Sequence, residues 1–216
     1  MATSETETLT PIAMPGVQTR LNREEEQTVL NVLREANTLT TGPEGEAFEK
    51  EFAAYSGAAE AICVNSCTSA LELSAMLSGL GKGDEVILPA HTFVATAVPF
   101  ARTGATLRWA DVDPDTRVIS AETIAPHLTS ATRVVVVVHL YGLTADMDPI
   151  MQLAEEHGLV VVEDCAQAPG AIYKERRVGS IGDFGCFSFH THKNITTLGE
   201  GGMLTVRNPE HGSQAR

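Results

Sequence analysis

Two apolar runs that do not alternate, RVVVVVHLY at 133–141 and LVVVEDCA at 159–166, limit the fold more than anything else in this chain. A strand with one face in water alternates apolar and polar side chains, whereas a strand covered on both faces has no reason to. Both runs are far too short to cross a bilayer as helices. Five further strand candidates are AICV (61–64), EVILPA (85–90), TLRWADVD (106–113), FGCFSFH (184–190) and GMLTVR (202–207). Helix-like segments at 44–55, 68–80, 93–103, 120–128 and 146–157 separate most of them. This order predicts an α/β fold: a mostly parallel seven-stranded sheet with helices on both faces. The clearest helix is ADMDPIMQLAEEHG, with acid in its first turn, apolar residues at helical spacing and a closing glycine.

The chain has 216 residues, enough for one main domain. Residues 1–20 are polar and acidic, with neither the basic nor the apolar stretch of a secretion signal, and are expected to form a flexible tail ahead of a ligand-binding domain at 21–216. A net charge of −13 argues against nucleic acid as a partner, since no Lys/Arg cluster is present to meet phosphates. Cys63, Cys67, Cys165 and Cys186 lack metal-type or C-x-x-C spacing. They predict reduced, buried thiols, no metal site and a cytoplasmic, membrane-free protein.

Ligands of open α/β sheets sit beyond the carboxyl ends of the strands. Those ends carry NSCTSA, HTF, DVD, HLYG, EDCAQ and SFHTHKN. In NSCTSA, small hydroxyl residues open a helix, which suits either a phosphate at the positive helix end or a plain cap by Ser66 or Thr68. Asp164 leaves a run that should be buried, so its carboxylate needs a donor or a cation. His139 ends a buried run and is expected to be a satisfied core histidine, while His190 and His192 are expected to be solvent-facing or structural. Lys193 stands in FSFHTHKNITTLGEGG, just before glycines 199, 201 and 202, which would allow close backbone approach. A lysine able to form a Schiff base, a carboxylate on a neighbouring strand and a hydroxyl-rich helix start match the aldehyde, pyridinium and phosphate of pyridoxal 5′-phosphate.

The words TTGPEGEAFEKEFAAYSG, GDEVILPAHTFVATA, VHLYGLTADMD, VEDCAQAPGA, VGSIGDFGCFSFHTHKN and GEGGMLTV occur in the order found in the DegT/DnrJ/StrS sugar aminotransferases, which this chain resembles over about residues 20 to 208. The resemblance implies the large domain of a type I, aspartate-aminotransferase-like fold. It implies transfer of an amino group from glutamate to a nucleotide-linked keto sugar, a 4-keto sugar by similarity of SFHTHKNIT to one branch, for surface polysaccharide or amino-sugar synthesis. By motif, Lys193 would carry the pyridoxal phosphate, Asp164 would meet its ring nitrogen, Gln167 would lie near its phenolic oxygen and Phe93 would stack on its ring. Ser66, Cys67, Thr68 and Ser188 would hold its phosphate. Cys67 stands where the family often has glycine, so a positive φ there would be strained. Relatives that dehydrate sugars resemble this chain but carry histidine at the lysine position, so Lys193 favours transamination. The resemblance also implies a homodimer and a further, smaller domain outside these residues, which raises the alternative of a shortened, non-catalytic chain that binds pyridoxal phosphate or a full-length partner.

Overall fold

A computed structural model describes residues 21–36 and 38–216. The tail expected at 1–20 lies outside the described residues. Seven strands form one sheet: β1 (Glu60–Val64), β2 (Glu85–Pro89), β3 (Thr106–Ala110), β4 (Thr132–Val138), β5 (Val160–Asp164), β8 (Phe184–Ser188) and β9 (Gly202–Val206). The short strands β6 (Ile172–Tyr173) and β7 (Arg176–Arg177) pair separately as a hairpin. Across the main sheet the order is β1-β9-β8-β5-β4-β2-β3. Only β9 runs against its neighbours, pairing antiparallel with both β1 and β8.

Residue parity in the strands decides which core each side chain enters. Val134 and Val136 of β4, Val162 of β5 and Val86 and Leu88 of β2 face one core, under α3 (Cys67–Leu77) and α4 (Val98–Arg102). Val135, Val137, Val161 and Ile87 face the opposite core, under α5 (Ala121–Ile124) and α6 (Met147–His157). The absence of alternation in the two valine runs is therefore a consequence of burial on both sides. A third cluster joins Phe52 of α2 (Pro43–Ser56) to Phe187, Phe189 and Met203.

The expected elements are present, most with shorter bounds, while β1 and α2 each extend slightly beyond the expected 61–64 and 44–55. The third strand stops at Ala110 because the Asp113 carboxylate accepts the backbone N–H groups of Asp115 (3.0 Å) and Thr116 (2.8 Å) and turns the chain. The segment at 93–103 divides into a 3₁₀ turn, Val94–Thr96, followed by α4. Gly158 caps α6 in the left-handed region at φ 64°, as its place after a periodic segment implied. Four elements were not anticipated: α1 (Arg23–Glu35), the 3₁₀ turn Leu140–Gly142, α7 (Pro209–Ala215) and the β6–β7 hairpin. Helix α1 buries no residue and is held at its start by a capping box between Asn22 and Glu25. The hairpin turns through Lys174 at φ 54°. Of the four thiols expected to be buried, Cys63 is exposed: it sits on the edge strand β1, on the α2 side, with its Sγ 3.9 Å from the Gly45 carbonyl; all four are free.

Candidate active site

Asp164 ends β5 at the parity of Val162, so its carboxylate enters the α3 side of the sheet. Glu163 takes the opposite parity and enters the other side. Strand pairing sets the neighbours of Asp164: Val138 of β4 on one side and Cys186 of β8 on the other. Ser188, two residues beyond Cys186, shares its face, and Gly202 of β9 pairs with both Ser188 and Val64. A methyl group on Gly202 would lie 2.7 Å from the Cys67 nitrogen and 2.7 Å from the Ser66 oxygen, so only glycine lets β9 approach the start of α3. Gly201 is tight against Thr197, whereas Gly199 meets open space, contrary to the expectation of close approach there.

All eight residues singled out in the sequence line one cavity of about 460 Å³: Ser66, Cys67, Thr68, Phe93, Asp164, Gln167, Ser188 and Lys193. Volume alone does not mark it out, since a cavity of about 640 Å³ lies beside α2 and Arg216. Its walls differ in chemistry. Ser66 caps α3, its hydroxyl accepting the Ser69 N–H at 3.2 Å, which leaves the N–H groups of Cys67 and Thr68 without intrahelical acceptors. Cys67 is helical and not at positive φ, so the strain considered for a non-glycine residue there is absent. Ser188 is 8% exposed. Phe93 lies on the rim, 72% exposed. Gln167 accepts the Tyr141 backbone N–H through Oε1 at 3.3 Å, with Tyr141 itself in the left-handed region at φ 55°.

Asp164 is 5% exposed and lacks no donor. Thr96 donates to Oδ2 at 2.7 Å and the Ala166 N–H donates to Oδ1 at 3.1 Å, with the Cys67 thiol 3.9 Å from Oδ1. Burial pushes its carboxyl above the usual range, against the pull of the Thr96 hydroxyl, the Ala166 N–H and the Lys193 charge. Burial, with the Asp164 anion beside it, likewise holds the Cys67 thiol well above its ordinary value. Thr92 and Thr96 also line the cavity and were missed in the sequence. Their signal is two hydroxyl residues four apart in HTFVATA, directly after a strand that ends at the site.

His190 and His192 border the same cavity. Their rings lie 5.0 Å apart at 71°, and His190 Nε2 is 3.4 Å from Glu200. Asp111 and Asp113, on the DVD segment expected to contribute polar groups, do not line it. His139 is buried and bonded: Nε2 meets Glu163 at 2.9 Å and Nδ1 accepts the Ala145 N–H at 3.2 Å. His139, Glu163 and Cys165 lie close enough to hold an ion, but the Glu163 oxygens already accept the N–H groups of Gly179, Ile181 and Gly182 at 2.9, 2.8 and 2.7 Å. That cluster is a closed hydrogen-bond network.

The profile of the DegT/DnrJ/EryC1/StrS aminotransferase family matches residues 20–216. The spore coat polysaccharide biosynthesis protein SpsC of Bacillus subtilis is 46% identical over 91% of this chain and 50% of its own length. A UDP-N-acetyl-3-dehydro-alpha-D-glucosamine 3-aminotransferase of Acidithiobacillus ferrooxidans is 42% identical over 92% of this chain and 55% of its own. Among solved structures, a putative sugar aminotransferase of Streptococcus pneumoniae in its PLP form superposes with a TM-score of 0.87 at 32% identity, over 94% of this chain and 56% of that one. The chain spans about half the length of the curated relatives it matches. Among the described residues, no helix is long and apolar enough to cross a membrane.

Proposed function

The chain belongs to the DegT/DnrJ/EryC1/StrS aminotransferase family, and from that premise we propose that its cavity holds pyridoxal 5′-phosphate and serves amino transfer from glutamate to a nucleotide-linked keto sugar. One observation carries the reading: a buried carboxylate, Asp164, shares a cavity with the Lys193 amine and the open start of α3.

The residues fit the coenzyme at three points. The N–H groups of Cys67 and Thr68, with the hydroxyls of Ser66 and Ser188, suit a phosphate at a positive helix end, and Gly202 keeps that corner clear of a side chain. Asp164, surrounded by donors that favour its anion, suits a protonated ring nitrogen. Lys193 supplies the amine for the aldehyde. Bound there, the coenzyme supplies an electron-withdrawing ring that stabilises negative charge on the substrate carbon bearing nitrogen. Asp164 would hold the proton on the ring nitrogen. Lys193 Nζ, once displaced by substrate, would carry the proton taken from that carbon. Phe93 would cover one ring face, and Gln167, its oxygen occupied by the Tyr141 N–H, would present its amide N–H groups toward the phenolic oxygen.

A nucleotide sugar as acceptor is supported by the Acidithiobacillus relative, whose name places the amino group at carbon 3. The SFHTHKNIT branch resemblance favours carbon 4, so both belong in the test. A homodimer is supported by apolar side chains left exposed around the cavity mouth: Phe93 at 72%, Val94 at 65% and Tyr141 at 71%. The deciding experiment adds glutamate to the protein loaded with pyridoxal phosphate and follows conversion to the pyridoxamine form, then supplies nucleotide-linked 3-keto and 4-keto sugars. Conversion followed by return to the starting spectrum is expected. An unchanged spectrum with coenzyme bound would overturn the reading.

A further inference from the structure

The hydroxyl chain behind Asp164 has a direction that proton counting fixes. A threonine hydroxyl has one proton to give. Thr96 is 1% exposed and gives its proton to Asp164 Oδ2 at 2.7 Å, because an anionic carboxylate only accepts. In the 2.7 Å contact between Thr92 Oγ1 and Thr96 Oγ1, the donor must then be Thr92. The chain runs Thr92 to Thr96 to Asp164, from the cavity wall to the buried carboxylate. Each bond polarises the next. The two residues stand four apart across the 3₁₀ turn Val94–Thr96, which holds both hydroxyls on the Asp164 side.

We propose that Thr96, oriented by Thr92, is a positioning residue that fixes Asp164 as an anion of set orientation, ready for a cationic ring nitrogen in the cavity. The inference rests on the coenzyme reading above. With Oδ2 held by Thr96 and Oδ1 by the Ala166 N–H and the Cys67 thiol, the carboxylate cannot rotate without breaking these bonds, yet Oδ2 keeps a lone pair for a further donor. Burial works against the anion, and Thr96 opposes it. The other titratable groups acting at this carboxylate are the Cys67, Cys165 and Cys186 thiols, the Lys193 ammonium and the His139 ring, and none of them takes the place of the Thr96 proton.

The test compares wild type, Thr96→Val and Thr96→Ser by two readouts. The first is the carboxyl titration of Asp164, followed by carbon NMR in protein prepared without coenzyme. Thr96→Val is expected to raise the proton affinity of Asp164 by about tenfold, and Thr96→Ser to restore it. An unchanged titration in the valine variant, or a serine variant that behaves like valine, overturns the proposal. The second readout is retention of added pyridoxal phosphate through dialysis, which Thr96→Val is expected to lower severalfold and Thr96→Ser to preserve. Wild type that takes up no coenzyme would overturn the coenzyme reading alone, while the titration still decides the role of Thr96. If Thr96→Val does not fold, Thr92→Val removes only the orienting hydroxyl and is expected to raise the Asp164 proton affinity about twofold to threefold; no change there overturns the proposal.

Discussion

Glu163→Gln is the substitution whose consequence the structure defines most closely. The Glu163 side chain is fully buried and accepts four donors: His139 Nε2 and the backbone N–H groups of Gly179, Ile181 and Gly182, all at 2.7 to 2.9 Å. His139 can only donate through Nε2, because its Nδ1 is occupied in accepting the Ala145 N–H. A glutamine of the same shape keeps one oxygen, enough for Ile181 and Gly182. Its amide nitrogen then stands where Oε2 was and confronts two further donors, Gly179 N–H and His139 Nε2–H. Two buried donors left unpaired, each at about 1–3 kcal/mol, give a loss of about 2–6 kcal/mol. That is a large part of an ordinary stability of about 5–15 kcal/mol. Urea unfolding at pH 7 measures it directly, and thermal melting should fall by about 4–24 °C for a chain of this length, at about 2–4 °C per kcal/mol. A loss below about 1 kcal/mol would refute the account of a closed network. The pH dependence supplies a second check. Burial alone would raise the Glu163 carboxyl, but the His139 and backbone hydrogen bonds outweigh it and hold it below the ordinary value. A carboxyl depressed on folding contributes stability that is present above its unfolded value and lost as pH falls through its folded value. The gap between wild type and Glu163→Gln should therefore be full at neutral pH and narrow in acid, below the usual glutamate range.

Lys193→Ala should abolish the visible absorbance of protein incubated with pyridoxal phosphate and dialysed; equal absorbance in both would remove Lys193 from the attachment role. Gly202→Ala should cost about 1–3 kcal/mol in urea unfolding and weaken phosphate retention at α3, because the added methyl meets the Ser66 and Cys67 backbone, which cannot move aside; a neutral effect on both would contradict the close approach. Mass spectrometry after brief alkylation of the folded protein should find Cys63 modified and Cys67, Cys165 and Cys186 protected, with all four modified after denaturation; rapid labelling of a second thiol would contradict the burial pattern.

The strands were legible because their residues carry the cause locally. Five valines in sequence at 134–138 have no polar face to show water, so the segment is buried on both sides wherever it lies. Gly158 was legible as a helix stop for the same reason: the left-handed turn it makes suits few other residues. Helix α1 was not read, although the Asn22–Glu25 capping box and the apolar residues Val29, Leu30, Val32 and Leu33 are in the sequence; that face buries none of its residues within the described part of the chain. Lys193 and Asp164 could be named from their motifs, but their meeting in one cavity depends on β5 and β8 becoming neighbours although about twenty residues separate them.

The sequence by itself determined the covered strands, the polar ends that gather at one sheet edge and the family to which those ends belong, because apolar runs and turn residues act on their own neighbourhood. Tertiary structure alone decided that Asp164 faces α3 while Glu163, one residue earlier, faces His139 and the 179–182 turn. It also decided that Thr96, 68 positions away, gives Asp164 its hydroxyl proton. Adjacent strand residues point to opposite faces, so two neighbouring acids enter different surroundings, and which partners wait there depends on the order in which distant strands pair.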